Sequence, residues 1–106
     1  MVDQKRLAEL LEEAIVDCYD EEEEFWGVFT TLDDRLEFPF QAEALGSVVE
    51  VVGLEANRSS LRRGILAFVR QGEQEYLIGL AELELIDPDP ASAEWLAMYR
   101  YWLGEE

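Results

Sequence analysis

Proline-marked breaks cut the hydrophobic pattern of this chain into three stretches, and no fold built on one kind of element can accommodate them all. Up to Leu36 the apolar residues recur at helical spacing. Pro39 then pushes Phe38 toward extended geometry, and from Phe38 to Ala44 the period drops to two. At Asp87-Pro88-Asp89-Pro90 the alternating pattern ends and a helical one resumes. Helices therefore precede and follow a β-rich middle, which defines an α+β chain.

The first helical stripe is Leu7, Leu10, Leu11, Ala14, Ile15 and Cys18, with Asp3 placed to cap it. On this reading Cys18 is a thiol on an apolar helix face. A second helix starts after Asp20, since Asp20 and Glu23 form a capping-box-like pair. Phe25, Trp26, Phe29, Leu32 and Leu36 then trace its inner face, ending by Leu36 or Glu37.

Beyond Pro39 a first strand leads through a Gly46-Ser47 turn into the valine-rich strand Val48 to Leu54, and Glu55 to Arg63 reads as a polar loop. Ile65 to Arg70 and Glu75 to Leu80 form a hairpin, and Leu83 to Ile86 is a last short strand. Asp89 and Pro90 then open a terminal helix bearing Trp95, Met98, Tyr99 and Trp102 on one face, ended by Gly104. Short strands joined by tight turns suggest an SH3-like antiparallel barrel with two helices before it and one after. The expectation is one domain over 1–106, helical in 1–36, barrel in 37–86 and helical again in 89–103.

Composition decides what such a domain can do. Its 106 residues, 49% hydrophobic, suit a small packed core rather than an acidic disordered tail. There is no histidine, which excludes Ser-His-Asp and Cys-His relays, imidazole bases and His-rich zinc sites. Cys18 is the only cysteine, so no internal disulfide is possible and a tetrahedral sulfur site has too few thiolates to form. With 8 Lys+Arg against 25 Asp+Glu the net charge is −17, which repels nucleic acid and anionic membrane. Partners are expected to be cations or basic proteins, the setting is expected to be cytoplasmic, and no catalysis is expected.

Where the carboxylates stand is more informative than their number. The run Asp20 to Glu24 favours a helix N-terminus through the macrodipole alone, yet it offers more oxygen than capping requires. Asp33 and Asp34 fall in the last turn of the same helix, where the dipole is negative and backbone carbonyls lack intrahelical partners. With Glu37 nearby they supply the hard oxygen ligands that calcium takes in sets of six to eight, while Arg35 offers neutralisation by ion pairing instead. No EF-hand loop fits. A window from Asp87 puts Ser92 at the glycine position and Met98 at the glutamate position, and a window from Asp33 puts Phe38 at the glycine position.

The succession Cys18-Tyr19-Asp20-Glu21-Glu22-Glu23-Glu24, then Trp26-Gly27, then Leu32-Asp33-Asp34-Arg35-Leu36-Glu37-Phe38-Pro39-Phe40-Gln41-Ala42 resembles the CcbP-like family of small acidic calcium-binding proteins of cyanobacteria and other bacteria. The Val48 to Leu54 strand, Leu80-Ala81-Glu82-Leu83-Glu84 and the Trp-rich terminal helix are similar to that family too. The resemblance implies calcium binding without an EF-hand, as a buffer or sensor, and no catalysis. It carries the metal role first to Asp34, then to Asp33, Glu37 and the run containing Asp20, Glu23 and Glu24.

Overall fold

The computed structural model describes residues 3–104, which divide into two compact units: a helical one from residues up to Leu36 together with those from Pro90 onward, and a β unit spanning Glu37–Asp89.

In the helical unit, α1 spans Gln4–Ala14, α2 Glu21–Arg35 and α3 Pro90–Leu103. Asp3 caps α1, accepting from the Lys5 amide, as its position predicts. The helix stops at Ala14, so Cys18 lies beyond it in the connection to α2, half-buried, rather than on the apolar helix face expected. There the Cys18 Sγ donates to the Glu23 carbonyl at 3.4 Å. Leu7, Leu10, Phe25, Val28, Leu32, Met98 and Tyr99 are buried, and Phe25, Trp26, Phe29, Tyr99 and Trp102 form a chain of ring contacts. Gly27 is needed where α2 crosses the end of α1: a Cβ there would stand 2.7 Å from the Ala14 carbonyl oxygen and 3.1 Å from the Cys18 sulfur.

The β unit is a five-stranded antiparallel sheet, β1 Phe40–Ala44, β2 Ser47–Ser60, β3 Gly64–Gln71, β4 Gln74–Gly79 and β5 Glu84–Leu85, in the order β4-β3-β2-β1-β5. Ala42, Val49, Val51, Ala67 and Val69 alternate into its buried side. The sheet does not close on itself, which corrects the expected SH3-like barrel: β4 and β5 are its two edges. After Gly79 the chain leaves the sheet for a 3₁₀ turn, Leu80–Glu82, and the strand that follows is only two residues long. Two local readings also change. The β1–β2 turn is Leu45-Gly46, both at positive φ as a two-residue hairpin of type I′ requires, rather than Gly46-Ser47. The polar stretch Glu55 to Ser60 is strand, not loop. Its register against β3 shifts between Glu55 and Ser60, and the buried Ser59 hydroxyl bridges the irregularity by donating to the Glu55 carbonyl and accepting from the Leu66 amide.

Candidate metal centre

Helix α2 carries most of the candidate ligands, and its two ends treat them differently. At the N-terminus the Asp20 Oδ1 accepts from the Glu23 amide at 2.8 Å, and the Glu23 side chain reaches back to accept from the Tyr19 amide at 3.0 Å. This is the reciprocal cap the spacing predicts, shifted by one residue on the return bond. Glu24 accepts from the Trp102 indole N–H at 3.3 Å, and Glu22 from that of Trp26 at 3.4 Å. Asp20, Glu22, Glu23 and Glu24 thus each already hold an N–H donor, and the macrodipole favours their charge.

Their combined field acts on Cys18. Burial first, and then the negative charges of Glu23, Glu24, Asp17 and Asp20, push its thiol above the ordinary value. Asp17 escaped sequence reading because Cys18 and Tyr19 separate it from the acidic run. It sits at φ 66, a conformation aspartate tolerates, in the turn after α1.

At the C-terminus the sign of the helix dipole is reversed. Asp33 and Asp34 are exposed, and the Asp34 side chain keeps 80% of its accessible surface. The Asp34 carboxylate lies 3.6 Å from the Arg35 Nε. Arg35 also donates from its Nη2 to Glu13 of α1 at 3.3 Å, and its guanidinium carbon lies 5.4 Å from the ring centre of Trp95 in α3. Neither Glu13 nor Trp95 carries a local sequence signal for this role. Glu37, the first residue of the β unit, is exposed and precedes the cis Phe38–Pro39 bond. Asp87, in the left-handed region at φ 44, and Asp89 precede α3.

The donor chemistry fits a hard divalent cation. Every charged candidate ligand is a carboxylate, the chain has no imidazole, and burial and nearby carboxylates push its one thiol above the ordinary value. No ready-made cage accompanies it: among the described residues no three Asp, Glu or Cys side chains converge on one point. Among those residues no helix is long and apolar enough to cross a membrane.

These carboxylate oxygen donors are of the kind that a hard divalent cation takes. The chain belongs to the CcbP family, described as calcium binding, which its residues 8–103 match. It is similar to the crystal structure of Anabaena CcbP, with 32% identity and a TM-score of 0.81, covering 97% of this chain and 92% of that one. It is likewise similar to a calcium binding protein in the calcium-binding form, at 30% identity, a TM-score of 0.79 and the same coverage. No match is found among curated proteins. The family resemblance read from the acidic run and the Leu-Asp-Asp-Arg-Leu-Glu-Phe-Pro-Phe stretch is therefore correct, and calcium is the ion it names. The family is a calcium-binding one and not a known enzyme family.

Proposed function

We propose that this protein is a cytoplasmic calcium buffer or sensor that works by binding and not by catalysis, and that Asp33 and Asp34 at the C-terminal end of α2 are its principal ligands. Family membership across residues 8–103 carries the calcium assignment. The choice of residues rests on their setting: these carboxylates lie against the helix dipole and are exposed, with the Asp34 side chain keeping 80% of its surface, so a cation gains by joining them. Water and backbone carbonyl oxygens at the helix end fill out the coordination that two carboxylates cannot complete. Asp20, Glu23 and Glu24 form a secondary group that must give up capping and indole hydrogen bonds to ligate, and Glu37 is retained on its sequence spacing. A cytoplasmic setting suits a lone thiol kept reduced.

Thermal melting of the calcium-free protein with and without calcium chloride, against excess magnesium at physiological salt, tests the function. Saturation at one hundred times the dissociation constant adds about 2.7 kcal/mol of stability. An unchanged melting temperature, together with no heat on calorimetric titration, would sink the proposal.

A second reading has one specific observation behind it. Val16 and Tyr19, 68% and 88% exposed, flank the acidic residues of the α1–α2 connection. Apolar anchors beside carboxylates suit a basic protein segment. Salt-sensitive, calcium-independent capture of a basic partner, lost in Tyr19→Ser, is the expected result. Retention of the partner by that variant would remove this surface from consideration.

A further inference from the structure

We propose that Arg35 is a built-in competitor for calcium, which lowers the affinity of the α2 C-terminal site and is displaced from Asp34 when the ion binds. This rests on the reading of Asp34 as a ligand. The guanidinium reaches all three helices of its unit: it touches Asp34 beside it on α2, donates to Glu13 on α1, and lies against the Trp95 ring on α3. It therefore holds a tethered +1 charge 3.6 Å from one Asp34 carboxylate oxygen, and that charge and a calcium ion cannot both take this oxygen at full strength.

Exposure decides that the contact is a competitor and not a fixed brace. Arg35 and Glu13 side chains keep 50% and 56% of their surface and Asp34 keeps 80%, so solvent screens the pairs strongly. An ion pair this weak yields to a divalent cation and slightly weakens its binding. Trp95, only 7% exposed, gives the guanidinium a resting surface that survives loss of Asp34, as does Glu13. Arg35 then stays docked on the helical unit after it releases Asp34.

Linkage makes the competition measurable from both sides. Arg35→Gln, which removes the charge and leaves a shorter polar side chain, is expected to tighten the calcium dissociation constant about two- to fivefold. Arg70→Gln is the control for net charge: it deletes the same charge from the β unit, where Arg70 pairs with Glu50 and Glu75. It is expected to change the constant less than Arg35→Gln does. Arg35→Lys keeps the charge without the planar fork and should fall between wild type and Arg35→Gln.

Calorimetric titration with calcium chloride of wild type, these variants and Asp34→Asn separates the outcomes. Weaker binding in Asp34→Asn with tighter binding in Arg35→Gln alone supports competition. Weaker binding in Asp34→Asn with equal effects of Arg35→Gln and Arg70→Gln overturns the inference and leaves the site standing. Unchanged binding in Asp34→Asn removes the ligand assignment, and this inference with it. The wild-type protein supplies a readout that needs no glutamine variant to fold: the Arg35 Nε–H resonance should move in step with calcium saturation. A resonance that stays fixed while binding heat saturates contradicts displacement.

Discussion

The two ends of α2 both carry acidic residues, five at the N-terminal end and two at the C-terminal end, in opposite physical settings. At the N-terminus Asp20, Glu22, Glu23 and Glu24 accept hydrogen bonds from two backbone amides and two indoles, and the helix dipole favours them. At the C-terminus Asp33 and Asp34 are exposed and oppose the dipole, and the charge near them is balanced in part by Arg35. The first group stabilises the fold without an ion. The second opposes the dipole, and a chain with a net charge of −17 has few cations of its own to spare.

The largest effect is expected at Gly27, in the body of α2 between the two ends. Gly27→Val places side-chain atoms where the Ala14 carbonyl and the Cys18 sulfur already stand, and is expected to cost about 1–3 kcal/mol in urea denaturation. A loss well under that range would mean that α2 shifts freely over α1. At the N-terminal end, Asp20→Ala removes the cap and should cost about 1 kcal/mol in calcium-free protein. At the other end, Asp33→Asn should have the opposite sign, a gain of about 0.3–1 kcal/mol without calcium, since it deletes a charge that the dipole disfavours. Destabilisation by Asp33→Asn would show that the two ends are not opposed as described.

The smallest effect is in the pH dependence at Cys18. Burial and the surrounding carboxylates hold its folded thiol above the unfolded value. The protonated thiol therefore contributes its full stability below about pH 8.5, and that contribution is lost as pH rises through the folded value. Disulfide-exchange reagents should modify Cys18 more slowly in the folded protein than in urea at mildly alkaline pH. Cys18→Ala should flatten the alkaline fall in stability. Equal modification rates in the two states would contradict the shift.

How much of this was visible in the sequence differs between backbone and site. Helix starts at Asp3 and Asp20, the end of α2 before Pro39 and the β3–β4 hairpin follow from local chemistry, and periodicity exposed them. The length of β2 did not follow. In Glu55 to Ser60 the residues 56–58 are exposed through a register shift, and a polar, exposed stretch reads as loop. The absence of barrel closure was equally hidden, since it depends on a 3₁₀ turn and a two-residue strand that have no periodic pattern. The early end of α1 at Ala14 left Cys18 in a turn although the apolar spacing continued through it.

For the site, the carboxylates themselves were legible and their engagements only partly so. The Asp20–Glu23 cap is local and was read correctly, whereas the Trp102 bond to Glu24 and the Glu13 and Trp95 contacts of Arg35 join residues far apart in the chain. Such contacts decide which acidic residues are already occupied, and no spacing rule reports them.

The central claim is that calcium binds first at the C-terminal end of α2. Calorimetric titration of the Asp33→Asn/Asp34→Asn double variant beside Glu23→Gln/Glu24→Gln tests it directly, because each pair removes two charges and keeps side-chain size. The account predicts that the first variant loses the high-affinity heat seen in wild type while the second retains it. High-affinity binding that persists in the first and vanishes in the second would place the ion at the other end of the helix and contradict the account.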